Sequence, residues 1–177
     1  MHPQGAVHRA LTPASPGCYV RDAGAGATML TNKGKYGLKA LVHLAGLPSG
    51  STAQSQEIAE ANAIPKKFLD AILGELRVAG IVRSKKGKGG GYMLAREPAR
   101  ISVGSAIRVL DGPLAPIACA SRMSYQPCTD CTDVASCSIR LMMLAVRDEI
   151  ARVLDNTSLE EMRRHALRGG GIPMYHI

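Results

Sequence analysis

The stretch that decides the fold is "IPKKFLDAILGELRVAGIVRSKKGKGGGYMLAR", Ile64–Arg96. Pro65 suits a first helical turn, where its missing N–H costs little. Phe68, Leu69, Ile72, Leu73 and Leu76 follow as a broad apolar stripe at helical spacing, and Gly80 stands where a glycine stop belongs. Two β-prone pieces come next, Ile81–Ser84 and Tyr92–Ala95, on either side of a glycine- and lysine-rich tip. That is the pattern of a hairpin with a long loop. Residues 81–100 hold Arg83, Lys85, Lys86, Lys88, Arg96 and Arg100 against Glu97 alone.

Upstream, Lys33 to Leu47 places Leu38, Leu41, Val42 and Ala45 on one helix face, and "PSG" at Pro48–Gly50 ends it. Ser55 is the expected N-cap of a short second helix, "QEIAEANA", with Ile58, Ala59 and Ala63 as its buried side. The connection to the third helix is short enough for a helix-turn-helix. Helix, helix, capped helix and basic hairpin form a winged helix-turn-helix. A flexible basic tip in that setting reaches DNA phosphate or the minor groove, which outweighs its reading as a solvated charge run. A nucleotide-phosphate loop is disfavoured, because "GKGGG" fits neither the dinucleotide nor the P-loop spacing.

The totals agree. A chain of 177 residues with 46% apolar content fits one globular domain with an extra helix or tail. Aromatics make up only 3%, so the core is aliphatic. A formal charge of +8 and a pI of about 9.5 suggest a polyanionic partner, although charge alone also fits membrane-surface binding or ordinary solubility. No run approaches a membrane span of roughly 18 apolar residues. Residues 1–28, rich in Gly, Ala and Pro, lack the apolar block of a secretory signal. They are expected to be a disordered leader or an over-long gene start, with the true start at Met29. A cytoplasmic location follows as the default, and stable disulfides are not expected there.

Downstream, "ISVGSAIRVLDGPL" reads as a short helix capped by Ser102, with Ile107 and Leu110 buried. Ser138 to Leu154 is a long helix with Ile139, Met142, Met143, Val146, Ile150, Val153 and Leu154 on its apolar side. Arg140, Arg147, Asp148, Glu149 and Arg152 lie elsewhere on it. Helix-turn-helix proteins read paired half-sites as dimers, so this helix is expected to join two copies. "TSLEEM" reads as a capping box from Thr157 to Glu160, opening a last short helix. The fold expected is mainly α with a small β-hairpin wing: a winged helix-turn-helix over 29–100, a connecting helix over 101–118, a cysteine loop over 119–137, and a long dimerisation helix with a short terminal helix over 138–166. Residues 167–177 form a frayed tail.

Between the two halves lies "CASRMSYQPCTDCTDVASC", with Cys119, Cys128, Cys131 and Cys137 spaced C-x8-C-x2-C-x5-C. Cys137 stands at the entrance of the long helix, where thiolates are stabilised. Thiolates are the preferred ligands of zinc and of iron–sulfur clusters. Zinc usually takes two close cysteine pairs or one pair plus histidines; here there is one pair, and no histidine between residues 44 and 164. The spacing favours a thiolate-bound metal centre without choosing between them. Inert thiols and a redox disulfide are the lesser readings. An enzyme using Cys128 or Cys131 as a redox thiol is disfavoured, because no βαβ pattern surrounds them, and no catalytic residue is expected. Cys18, in the leader, is incidental.

"MLTNKGKYGLKALVHLA", then "IAEANAIPKKFLDAILGELRVAGIVRSKKGKGGGYMLAR", then a cysteine loop before a helix, resembles the Rrf2 family of winged-helix transcription regulators, over about residues 29–162. The family includes the iron–sulfur sensors IscR, NsrR and RirA. The wing "GKGGGYMLAR" is the most specific element. The resemblance implies a homodimeric repressor or activator of double-stranded operator DNA, often with a cluster (2Fe–2S or 4Fe–4S) between wing domain and dimer helix. It places DNA contacts at Pro65, Lys67 and Asp70, with Lys86 at the position of a wing arginine. Lys66 and Lys67 would meet phosphate, Asp70 a cytosine amino group, and Lys86 the minor groove, with Arg83, Lys85 and Lys88 as further basic contacts. The family's C-x5-C-x5-C pattern is matched only in its last interval, Cys131 to Cys137, because Tyr125 stands where the first cysteine is expected. Fourth-ligand positions hold Arg140 and Lys35, neither a credible ligand. The simplest complete set is Cys119, Cys128, Cys131 and Cys137, and a three-cysteine cluster with another fourth ligand stays open. Zinc is the alternative occupant, in a regulator with a zinc or thiol-redox site and no cluster.

Overall fold

Apolar spacing and capping place the first helices where the sequence implies. The computed structural model describes residues 30–131 and 133–168. The leader, Cys18, Met29 and the tail from Gly169 lie outside the described residues. Helix α1 (Asn32–Ala45) opens on Thr31, whose hydroxyl accepts from the Gly34 N–H at 3.2 Å. Asp111, from the far end of the fold, accepts from both the backbone N–H and the hydroxyl of Thr31. Helix α2 (Ser55–Asn62) and α3 (Lys66–Val78) follow, then β1 (Val82–Lys85) and β2 (Gly91–Leu94) as an antiparallel hairpin pairing Val82 with Leu94 and Lys85 with Gly91. After a short 3-10 turn at Pro98–Arg100 come α4 (Val103–Leu110), a second 3-10 turn at Ala118–Ala120, α5 (Ser138–Asn156) and α6 (Leu159–Leu167).

The core is aliphatic. Leu41, Ile58, Leu69, Ile72, Leu73 and Leu76 are fully buried, joined by Ile101, Ala106 and Leu159. Each such leucine or isoleucine contributes about 1.5–3 kcal/mol by leaving water. Leu159 shows that α6 folds back onto the head. It is anchored there by the Leu159 N–H donating to the Ile101 carbonyl, and the Val103 N–H to the Thr157 carbonyl, both at 2.9 Å.

Several local expectations shift. Ser55 is the first residue of α2 rather than its cap; Gln54 precedes it, and the Glu57 carboxylate accepts the Gln54 N–H at 2.8 Å. Ala63 is an exposed left-handed C-cap at φ 51° rather than a core residue, and the Ile64 N–H then donates to the Ala59 carbonyl. Phe68 is 42% exposed, its ring edge-on to Tyr36 with centroids 5.8 Å apart. Leu44, outside the expected stripe, is buried. The last capping box runs from Ser158 to Glu161, one residue later than expected, because Thr157 bonds back to the Val153 carbonyl. The strands begin and end one residue away from their expected bounds.

Helix α5 departs most from an ordinary surface helix. Much of its apolar side faces away from its own chain: Ile139 is 67% exposed and Met142 61%, with Val146 and Val153 also exposed, while Leu154 packs against the core. The one buried residue of α5 is Arg147, expected on the polar side.

Candidate nucleic-acid interface and cysteine loop

At the start of α3, two side chains expected to meet DNA pair with each other. The Lys66 ammonium sits 2.7 Å from the Asp70 carboxylate, one helical turn apart. This bond, followed by one from the Ser55 hydroxyl, holds the Asp70 carboxyl below the usual carboxylate range. Asp70 is thus paired within α3 in the free chain. Lys67 is exposed beside it. Arg83, Lys85, Lys86 and Lys88 are all exposed on the wing. Among the described residues, none of these four, nor Lys67, lies within ion-pair distance of a carboxylate.

The wing is joined to the head by backbone. The Ala53 N–H donates to the Tyr92 carbonyl at 3.0 Å, and the Tyr92 N–H to the Ala53 carbonyl at 2.8 Å. The Thr52 hydroxyl adds a bond to the Gly89 carbonyl at 2.8 Å. This approach explains the glycine triplet: a Cβ on Gly91 would lie 2.4 Å from the Ala53 oxygen, and one on Gly90 2.5 Å from the Lys85 oxygen. Both separations are far inside van der Waals contact.

In the second half, the four expected cysteines come together in a chain of contacts. Cys119, in the 3-10 turn, is buried, and its thiol lies beside that of Cys128. Cys128 contacts Cys131, and the Cys131 and Cys137 sulfurs are 4.0 Å apart. Burial, and then the neighbouring Cys128 thiol, pushes the Cys119 thiol up. At the N-cap of α5, the Arg140 backbone N–H pulls the Cys137 thiol down. Ionisation of the Cys128 thiol is favoured by the adjacent Cys119 thiol, yet its value ends above the ordinary one because the contact with Cys131 and lost hydration oppose ionisation. One donor was missed: the carboxylate of Asp130 and the thiols of Cys128 and Cys131 offer ligand atoms that all lie within 4.8 Å of one another. The signal was present in "CTDC", where a carboxylate sits between two thiols.

Two arginines of α5 hold the front of this loop. Arg140 donates from Nε to the Cys119 carbonyl at 3.0 Å, and Arg147 from Nη1 to the Ala120 carbonyl at 2.7 Å. Arg147 also grips Asp148, and Arg122 reaches Asp148 at 3.1 Å. Further along, Arg108 of α4 makes a two-pronged bond to Asp155 of α5, at 2.5 and 2.8 Å. The cysteine loop, α4 and α5 are therefore tied through backbone carbonyls and ion pairs.

The profile of the family described as "Rrf2: Iron-dependent Transcriptional regulator" matches residues 30–165. A Rhodobacter capsulatus protein named as an rrf2-like HTH-type transcriptional regulator is 43% identical over 137 residues, spanning 76% of this chain and 91% of the relative. The structure of CymR, described as the global cysteine regulator of B. subtilis, is similar with a TM-score of 0.64 and 32% identity, covering 77% of this chain and 96% of that one. The structure of T. potens IscR gives a TM-score of 0.62 at 30% identity, covering 83% of this chain and 96% of that one. The Rhodobacter and B. subtilis relatives are named as regulators and not as enzymes, and the helices and hairpin described above match the winged-helix architecture of the two structures. With the family profile running through the wing, the cysteine loop and α5 alike, the chain belongs to the Rrf2 family of DNA-binding transcription regulators.

Proposed function

We propose that this chain is a homodimeric, cytoplasmic regulator that represses or activates at a double-stranded operator, under control of an iron–sulfur cluster held by the cysteine loop. The observation that carries the reading is the run of four neighbouring thiols ending at Cys137, the residue that starts α5. An all-sulfur donor set, with one thiol buried and another at a helix N-terminus, suits a cluster or another thiophilic metal centre. Cys119, Cys128, Cys131 and Cys137 would hold it. When bound, a cluster supplies a redox- and ligand-sensitive tie among these thiolates.

The chain's own residues then carry the coupling. Arg140 and Arg147 bind the carbonyls of Cys119 and Ala120, so order in the loop favours one placement of the first half of α5. On α5, Ile139, Met142, Val146 and Val153 are spaced as one exposed apolar stripe, the surface expected to pair two copies. Paired copies set the separation of two α3 helices, with Lys66 and Lys67 toward phosphate, and Arg83, Lys85, Lys86 and Lys88 reaching from the wings. A group that binds only the ordered loop shifts this equilibrium by its differential affinity, and no more.

The test is anaerobic purification followed by iron, sulfide and zinc analysis of the wild type and of four single Cys→Ala variants. The expected outcome is a coloured dimer with iron and acid-labile sulfide, lost or weakened in each variant. A colourless protein with stoichiometric zinc, or none of these metals after anaerobic reconstitution, sinks the cluster reading. A monomer at micromolar concentration would sink the dimer.

A further inference from the structure

We infer that the loop, when it carries no cluster, binds a single thiophilic divalent cation through Cys128, Asp130, Cys131 and Cys137, with Cys119 left out. The inference rests on reading this loop as metal-holding, and it adds an oxygen ligand and a distinct mononuclear state.

Three observations carry it. The ligand atoms of Cys128, Asp130 and Cys131 lie within 4.8 Å of one another, and the Cys137 sulfur is 4.0 Å from that of Cys131. Around one tetrahedral ion with metal–sulfur bonds near 2.3 Å and metal–oxygen bonds near 2.0–2.2 Å, ligand atoms stand about 3.5–3.8 Å apart. Cys128, Asp130 and Cys131 approach that spacing together, and Cys137 approaches it toward Cys131, so closing the site requires the exposed loop to bring Cys137 nearer the other two.

The second observation is a contrast between the two aspartates of the loop. Asp133 is occupied: it accepts from the Ala135 N–H at 2.9 Å and from the Ser136 hydroxyl. Asp130 accepts no hydrogen bond and makes no ion pair among the described residues, although it lies beside the Cys128 and Cys131 thiols. Among the described residues, no donor competes for its oxygens, which leaves them available to a cation beside the two thiols.

The third observation sets Cys119 apart. It is 4% exposed, sits in a separate 3-10 turn, and its carbonyl is fixed by Arg140. Its sulfur meets only Cys128 and stands outside the group of donors within 4.8 Å of one another, and moving it further in would disturb the turn that Arg140 and Arg147 hold. Zinc accepts mixed sulfur and oxygen sets, so three thiolates and one carboxylate make a full tetrahedron. On binding, each of the three thiols passes its proton to buffer as its metal–sulfur bond forms, so affinity rises with pH. The oxidation states of sulfur and metal do not change.

The test uses the reduced, metal-free full chain, titrated anaerobically with Co²⁺ and then displaced by Zn²⁺. The expected result is one Co²⁺ per chain, tetrahedral visible bands, and thiolate-to-cobalt charge-transfer intensity for three sulfurs. Cys119→Ser should leave that spectrum and affinity unchanged. Asp130→Ala should weaken binding at least tenfold while keeping the three-thiolate intensity. Asp130 is exposed and makes no hydrogen bond among the described residues, so its replacement leaves the fold intact, which the denaturation midpoint checks. A one-quarter loss of charge-transfer intensity in Cys119→Ser, with Asp130→Ala unchanged, would show a four-thiolate site and overturn the inference. So would a wild type that binds no Co²⁺. Either result leaves the cluster reading to stand or fall on its own iron and sulfide analysis.

Discussion

Replacing Arg147 with methionine would cut the one buried charge of α5 from the backbone it holds. The guanidinium donates to the Ala120 carbonyl at 2.7 Å, and Ala120 is fully buried. A hydrogen bond with a charged partner is worth about 1.5–3 kcal/mol, and a buried carbonyl left unpaired costs about 1–3 kcal/mol. Methionine retains the apolar stem, and the neighbouring cavity of about 210 Å³, lined also by Arg108, Leu114 and Arg122, gives it room. Packing therefore changes little, and the net loss is set at about 2 kcal/mol, roughly thirtyfold in the open population of the segment. Hydrogen exchange by mass spectrometry on the reduced protein reads this directly. Amides of residues 118–124 should exchange about thirtyfold faster by the same conversion, while those of α3 follow global stability alone. Arg147→Lys keeps the charge but not the planar fork, so it should recover only part of the protection. Unchanged exchange over 118–124 in Arg147→Met would refute the idea that this arginine ties loop to helix.

Gly91→Ala should detach the wing: the added carbon meets the Ala53 oxygen, and the two Ala53–Tyr92 bonds, about 1 kcal/mol each, are lost. Rapid exchange at the Tyr92 amide with an intact α3 is the expected signature, and native protection there would count against it. Lys86→Ala and Lys88→Ala should each lower the slope of log affinity against log salt, on duplex DNA, by about 1. Weakened binding at an unchanged slope would argue against phosphate contact. Asp155→Asn should flatten the acid limb of the stability curve. The Arg108 guanidinium holds Asp155 below the usual carboxylate range. Its contribution is therefore complete above about pH 4 and is lost as pH falls through the depressed value. Identical acid limbs for wild type and variant would refute that role.

The sequence was most legible where period and punctuation agree. In α3, Leu69, Ile72, Leu73 and Leu76 repeat at helical spacing and Gly80 stops the helix, and all four side chains are buried as their spacing implies. The hairpin was readable from β-prone pieces flanking glycine, and the gathering of four thiols was foreshadowed by their crowding into nineteen residues. Readings failed where two adjacent residues could fill one role. Thr157 and Ser158 both suit an N-cap, and only the Val153 carbonyl decides that Thr157 turns back while Ser158 caps.

Charge could not be assigned in the same way, because a side chain's partner need not be near it in sequence. Period alone placed Arg147 with the polar residues of α5, yet its partner is a carbonyl 27 positions away, and that bond makes it the buried member of the helix. Asp130 and Asp133 look alike in the sequence, and only the path of the loop gives one of them to Ser136 and leaves the other beside two thiols. The sequence by itself determined the elements, the basic wing and the sulfur donors, since these depend on local period, turn chemistry and residue type. The tertiary structure decided what binds what: it buries an arginine, exposes the apolar stripe of α5 and brings α6 back to the head, because hydrogen-bond partners and packing faces are settled only when distant segments meet.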